Sequence, residues 1–222
     1  MGDATTLVDA IEGAMSRAES RSTPDMRVVR RSLNRECQAE TVEALLAAAG
    51  EVIKRGKAPR WFVYELVHYH PGAVAGLNVR TLEQLGEGLD GWGETDPFGC
   101  YLSGPAWRER RIRDATVHKW AKSSDRWWRR VAAVSTVPLN CTARGGTGDP
   151  RRTFGVCELL AGDRDEMIVK ALSWALRELS TKCPELVATY VDDNHQILPA
   201  RVVREVRNKL NTGLKNPANG ID

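Results

Sequence analysis

The stretch that decides the fold is Asp165-Glu-Met-Ile-Val-Lys170-Ala-Leu-Ser-Trp174-Ala-Leu-Arg177-Glu-Leu179. Its apolar residues from Ile168 to Leu179 recur at spacings of three and four, the period of an amphipathic helix. The segment 125–134, Asp-Arg-Trp-Trp-Arg-Arg-Val-Ala-Ala-Val, overlays on it at an offset of 40 residues, acid on acid and Arg130 on Lys170. The sequence therefore predicts two related helices, each beginning after an aspartate.

Each of these two helices follows another predicted helix, at Ala106 to Ala121 and at Arg151 to Leu160. A helix-pair unit of about 40 residues is the period of HEAT and armadillo-type repeats. Helical spacing also runs from Val42 to Ile53, and no segment alternates as a strand does. We predict an all-α fold, an α-α superhelix of HEAT-like helix-pair repeats, with an irregular helical bundle as the alternative.

Composition excludes several classes of protein. The 222 residues are 42% hydrophobic and 27% charged, with a mean hydropathy of -0.39, which is typical of a globular chain and excludes disorder. No apolar run approaches the roughly 20 residues needed to span a bilayer, and the N-terminus has no signal pattern. We expect a cytoplasmic protein. The five cysteines are widely spaced without a C-x-x-C pair, which argues against a disulfide framework and a zinc site.

Three regions are expected along the chain: an N-terminal helical extension over 1–37, the repeat domain over 38–215, and a flexible tail over 216–222. The charge is uneven along this chain. Residues 105–152 hold twelve Lys or Arg against four Asp or Glu, although the formal charge of the whole chain is only +3. Such a basic stretch suggests a polyanionic partner, and solvated helix faces rich in arginine are the alternative.

The densest cluster of chemically useful residues is Trp120-Ala-Lys-Ser-Ser-Asp125-Arg-Trp-Trp128-Arg-Arg130. Ser123, Ser124 or Asp125 can cap a helix that begins near residue 126, since a side-chain oxygen there accepts from free backbone N–H groups. Trp127 and Trp128 fall on different sides of that helix, so one should be buried and the other could be exposed. The cluster can equally be structural, with a capping acid, a core tryptophan and a salt-bridging arginine.

Two motifs give the chain a specific likeness. The string 125–130 followed by Lys170-Ala-Leu-Ser-Trp174-Ala-Leu-Arg177-Glu-Leu resembles the DNA alkylation repair glycosylases built of HEAT-like repeats, the AlkD-type family, in which W-x-R-R and K-A-I-G-W-x-L-R-E elements mark successive helix pairs. The segments 91–98 and 60–66 are similar to further parts of that family. The likeness runs from about residue 38 to 211.

This resemblance implies a DNA repair glycosylase that hydrolyses the N-glycosidic bond of cationic N3- or N7-alkylated purines in duplex DNA. It implies Asp125, Trp120 and Trp174 as catalytic residues, and the following as DNA-binding residues: Arg129, Arg130, Lys170, Arg177 and Trp128. Arg177 could equally pair with Glu178 or Asp192, which lie nearby. Matching the W-x-R-R element instead puts the acid position on Ser124, so both registers remain open.

The partner that the resemblance implies is double-stranded DNA, preferably alkylated, bound by a monomer at the nucleoid without a membrane, metal or cofactor. Two other functions are possible for a basic stack of helix pairs. One is a catalytically silent DNA-binding protein, and the other is a protein-binding helical scaffold.

Overall fold

The computed structural model describes residues 4–217, and the chain in it forms two compact units, Met1–Ile112 and Arg113–Asp222. Within residues 4–217 all regular structure is helical and no strand occurs, which confirms the predicted all-α class. In the same residues no helix combines the length and the apolar character that crossing a membrane would require.

The first unit contains eight α-helices within its described residues: α1 (Ala4–Ala14), α2 (Thr23–Glu36), α3 (Val42–Arg55), α4 (Arg60–His68), α5 (Ala73–Gly76), α6 (Val79–Leu85), α7 (Trp92–Phe98) and α8 (Gly104–Arg108). Local chemistry sets several of these bounds. Thr41 accepts a hydrogen bond from the backbone N–H of Ala44, at 3.2 Å, where α3 begins, and Gly56 ends α3 in the left-handed conformation.

The core of the first unit forms around α4, which packs against α2, α3 and α7. Phe62 and Leu66 of α4 are fully buried. Glu65 is buried as well, and it accepts from Arg27 at 2.6 Å and lies 3.5 Å from Arg30. This buried carboxylate is therefore paired with two cations, which offsets the cost of burying its charge.

The second unit contains seven α-helices within its described residues: α9 (Asp114–Ala121), α10 (Arg126–Ser135), α11 (Val137–Asn140), α12 (Pro150–Leu160), α13 (Glu166–Leu179), α14 (Pro184–Asn194) and α15 (Ala200–Thr212). Three successive pairs are formed by α9 with α10, α12 with α13, and α14 with α15. Helix α13 lies between α10 and α15, and α12 packs against both α9 and α13. The predicted organisation in helix pairs is therefore confirmed.

The helix predicted from Ala106 to Ala121 is wrong, because the chain breaks between α8 and α9. Arg110 takes a left-handed backbone with φ of 60°, which no continuous α-helix tolerates. The N–H of Arg111 then bonds to the carbonyl oxygen of Ala106, at 2.8 Å. Ile112 is buried beyond this turn, so the break is a packed feature of the chain.

The division of the chain at residues 37 and 215 stays a proposal. Helix α1 packs against α3, which lies beyond the expected extension over 1–37. The expected tail over 216–222 lies outside the described residues from position 218 onward.

Candidate nucleic-acid interface

Asp125 lies in the short loop between α9 and α10, where it caps α10. Its Oδ1 accepts a hydrogen bond from the backbone N–H of Trp127, at 2.8 Å. Its own N–H donates to the hydroxyl of Ser123, at 3.1 Å. The residue is exposed, and among residues 4–217 no group donates to Oδ2 or forms an ion pair with it. Oδ1 is thus fixed by a hydrogen bond, whereas Oδ2 accepts none from the described residues.

Asp165 repeats this arrangement one helix pair later. It caps α13, and its Oδ1 accepts from the backbone N–H of Met167, at 2.9 Å. The 40-residue offset seen in the sequence therefore corresponds to a structural repeat. Asp125 caps α10 in the same way as Asp165 caps α13. Ser124 precedes the capping residue and is exposed. Its backbone carbonyl oxygen accepts a hydrogen bond from Nη1 of Arg129, at 3.0 Å.

Two tryptophans join α9 to α10 beside this loop. The ring centroids of Trp120 and Trp128 lie 5.2 Å apart with the ring planes tilted by 39°. Trp120 is only 3% exposed, whereas Trp128 is half-buried. Trp127 is half-buried too, so the expectation that one of the two adjacent tryptophans is buried is wrong.

The arginines of α10 are tied to the loop and first turn of α13. Arg129 donates through Nε to Asp163 at 2.8 Å and through Nη1 to the carbonyl oxygen of Ser123 at 3.0 Å. Arg130 is 5% exposed, and its Nη1 donates to the carbonyl oxygen of Met167. These bonds connect one helix pair to the next. They favour a structural role for both arginines, so their assignment to phosphate binding stays a prediction.

Lys170, Trp174 and Arg177 lie along one face of α13, at the i, i+4 and i+7 positions. Each is half-buried. The Nζ of Lys170 pairs with Glu166 at 2.7 Å, which lowers the pKa of that carboxyl. The structure thus brings a cation, an indole and a second cation together on one helix, as the motif containing them implied.

Arg177 is held by its Nε alone, which donates to the hydroxyl of Ser173 at 3.1 Å. Among the described residues no partner is present for its two terminal nitrogens, and neither Glu178 nor Asp192 pairs with it. Desolvation lowers the pKa of this guanidinium, but an arginine starting above 12 stays charged. The side chain is therefore a cation with two free donor groups.

The basic stretch also contains exposed cations that the sequence did not single out as DNA-binding residues. Within the described chain, four basic side chains of this stretch are exposed and take part in no hydrogen bond or ion pair: Arg110, Arg111, Arg113 and Lys122. By contrast, Arg151 pairs with Asp114 at 2.9 Å and Arg152 with Asp149 at 2.5 Å. A count of charges along the sequence cannot separate these two groups, since it does not show which acid each side chain contacts in the fold: Asp149 is three residues from Arg152, whereas Asp114 is 37 residues from Arg151.

No group of three or more His, Cys, Asp or Glu side chains within residues 4–217 is arranged as a metal site. None of the five cysteines, all of which lie within the described residues, forms a disulfide. Cys157 is fully buried, and its burial raises the pKa of the thiol to about 12, so it is a poor nucleophile at neutral pH.

The family model described as DNA alkylation repair enzyme matches residues 21–210. No curated protein matches the chain. The matched range includes the loop of Asp125, the paired tryptophans and the whole of α13.

Proposed function

The chain belongs to the family of DNA alkylation repair enzymes, and we propose that it is a DNA glycosylase acting on cationic purines. Membership gives the protein a role in the repair of alkylated DNA, with DNA as its substrate. The proposed reaction is hydrolysis of the bond between deoxyribose and an N3- or N7-alkylated purine in double-stranded DNA. We further propose that the protein works as a monomer at the nucleoid, in the cytoplasm.

The chemistry of this substrate makes modest demands on a protein. A purine alkylated at N3 or N7 carries a positive charge, so it departs as a neutral base without a proton from a general acid. The sugar then develops oxocarbenium character, which a nearby carboxylate stabilises by its charge. The same carboxylate can accept a proton from the attacking water. One aspartate and a water molecule therefore suffice, and a cofactor is not needed.

The observation that carries the proposal is the state of the Asp125 carboxylate. Its Oδ1 is fixed by the N–H of Trp127 at 2.8 Å, whereas Oδ2 has no partner among the described residues. A group that acts on a substrate needs its position fixed by the scaffold while its reactive atom stays accessible. Asp125 meets both conditions, since it is exposed and its Oδ1 is fixed by a hydrogen bond at the start of α10.

Tryptophans support the recognition of a cationic base. The face of an indole attracts a cation by roughly 0.5 to 2 kcal/mol. Trp174 on α13 and Trp128 on α10 are half-buried and present part of their surface. Trp120 is buried against Trp128, so we propose that it acts by holding Trp128 in place.

Phosphate binding on α13 completes the proposed site. Lys170 and Arg177 lie on the same helix face as Trp174, and phosphate contacts of this kind position DNA without reading its sequence. A lesion-directed enzyme requires such binding, because alkylated bases arise in any sequence. Arg129 and Arg130 support this face indirectly, through their bonds to the residues that begin α13.

A second candidate function is a DNA-binding protein without glycosylase activity. The observation in its favour is that Asp125 caps α10 as Asp165 caps α13, with bonds of 2.8 and 2.9 Å. A residue with a complete structural role needs no catalytic one. The alternative register, in which the acid position falls on Ser124, favours the same function.

The test is release of 7-methylguanine from a methylated duplex by the wild-type protein, measured as free base and as abasic sites in the DNA. A glycosylase yields both products in equal amounts and leaves an unmethylated duplex of the same sequence intact. Tight binding of the duplex without release would favour the silent DNA-binding protein. If the wild-type protein neither binds the duplex nor releases the base, both functions are refuted.

A further inference from the structure

Ser173 lies fully buried between two charged side chains of the second unit. Its hydroxyl donates to Oε2 of Glu205, at 2.5 Å. The hydroxyl oxygen of Ser173 also accepts a hydrogen bond from Nε of Arg177, at 3.1 Å. Because a hydroxyl has one proton and two lone pairs, giving the proton to Glu205 leaves only acceptor capacity toward Arg177. The orientation of this hydroxyl is therefore set by the carboxylate behind it.

Glu205 is a buried anion with its own cationic partners. It belongs to α15, is 2% exposed, accepts from Nε of Arg201 at 2.8 Å, and lies 3.5 Å from Nζ of Lys215. Burial acts to raise the pKa of this carboxyl, but the hydrogen bonds from Ser173 and Arg201 outweigh it, so the pKa is lowered. Glu205 is thus ionised at neutral pH and is a permanent acceptor for Ser173.

Arg177 is left with a free guanidinium edge. Its Nε is used by Ser173, and among residues 4–217 no acceptor lies within hydrogen-bond distance of its two terminal nitrogens. The side chain is partly desolvated and charged. A guanidinium in this state favours an oxyanion that can take two parallel N–H bonds, which describes the phosphodiester group of DNA.

We propose that Ser173 and Glu205 are positioning residues that hold Arg177 in the orientation in which its terminal nitrogens bind one DNA phosphate. This proposal rests on the proposed binding of DNA. The Ser173 hydroxyl is itself fixed by its bond to Glu205. It converts a flexible arginine into an oriented one, which lowers the entropy lost when the phosphate binds.

A double-mutant cycle on Ser173 and Arg177 tests the proposal, with affinity for an unmodified duplex measured across a salt series. Arg177→Ala should weaken binding by roughly tenfold or more, because a charge-assisted contact is lost, and should reduce the salt slope by about 0.9, the value for one phosphate. Ser173→Ala should weaken binding by roughly three- to tenfold. The double variant should bind no more weakly than Arg177→Ala, since the hydroxyl acts only through the arginine.

Two matched controls separate positioning from general effects. Ser180→Ala removes a hydroxyl from the end of the same helix, one that bonds to the backbone carbonyl oxygen of Arg177 at 2.8 Å and not to its side chain. Arg31→Ala removes an exposed charge in the first unit. Both should leave the salt slope unchanged. Arg177→Lys, which keeps the charge but has no Nε to meet Ser173, should lose most of the affinity and is the test if Ser173→Ala does not fold.

Two results would overturn the proposal. Additive losses in the double variant would show that Ser173 acts independently of Arg177, and full affinity of Arg177→Lys would show that orientation is unimportant. Release of 7-methylguanine by wild type, measured in parallel, keeps the proposed function separate. If the wild type binds DNA and releases the base while the cycle shows no coupling, only the positioning role fails. If the cycle shows coupling without base release, only the glycosylase assignment fails.

Discussion

Asp125 and Asp165 occupy the same position in two successive helix pairs. Each is the residue before a helix, and each accepts the N–H of the residue two positions later, at 2.8 and 2.9 Å. They differ in their charged neighbours, because Asp165 pairs with Arg126 at 3.4 Å and Asp125 pairs with no cation among the described residues. Only one of the two capping carboxylates is therefore available to a ligand.

The arginines of the second unit are expected to divide into structural and DNA-binding groups. Arg130→Ala should lower the free energy of unfolding by about 1 to 3 kcal/mol, because it removes a buried side chain and the hydrogen bond that this side chain donates to the carbonyl oxygen of Met167. The salt slope of duplex binding should stay unchanged. Chemical denaturation and a salt series on the same variant measure the two effects, and a reduced slope with unchanged stability would reverse the assignment.

Exposed arginines without partners should behave in the opposite way. Removing Arg110 and Arg111 together should leave stability almost unchanged, since their side chains contact no acceptor within the described chain. If both contact phosphates, the salt slope should fall by about 0.9 for each. A double variant that binds DNA with the wild-type slope would exclude these two residues from the interface.

Acid should weaken the second unit partly through Glu205. The pKa of this carboxyl is lower in the folded protein than its usual value of 4.5, so its contribution to stability is complete above that value. The contribution is lost as the pH falls through the lower folded pKa. As the pH is lowered from about 6 to about 3, the melting temperature of Glu205→Gln should therefore fall by less than that of the wild type. Parallel declines would mean that Glu205 does not contribute.

The loop before α12 gives a prediction about packing. A Cβ on Gly146 would lie 2.6 Å from the backbone N of Asn140 and from the backbone carbonyl C of Leu139. These contacts are too close, and the backbone atoms cannot move aside as the end of a flexible side chain could. Gly146→Ala should destabilise the protein by about 1 to 3 kcal/mol. Gly162→Ala is the matched control, because a Cβ there meets nothing within 4 Å, and it should be nearly neutral. Equal melting temperatures for the two variants would contradict the described loop.

Sequence periodicity predicted those elements whose signals are local. The apolar spacing of Ile168 to Leu179 and the 40-residue offset between two aspartates correspond to α13 and to its repeat relation with α10. The break at Arg110 was not predictable, because the left-handed backbone falls on a residue type that seldom takes it. Local spacing carries no mark of such a turn.

Partners distant in the chain account for what the sequence could not predict at the site. Arg129 finds Asp163 at a separation of 34 residues, and Ser173 finds Glu205 at a separation of 32. The resemblance implied Arg129 and Arg130 as DNA-binding residues, whereas in the structure both form hydrogen bonds that join one helix pair to the next. The position of Arg177 on the face of α13 was predictable from helical spacing, but the bond that fixes its Nε was not.

The catalytic role of Asp125 is best tested by comparing Asp125→Asn with Asp165→Asn in single-turnover release of 7-methylguanine from duplex DNA. Asparagine caps helices about as well as aspartate, so both variants should fold and bind the duplex. If the Asp125 carboxylate stabilises the sugar cation, Asp125→Asn should slow release by roughly 10²-fold or more, whereas Asp165→Asn should release the base at the wild-type rate. Equal rates for the two variants would contradict a catalytic role for Asp125.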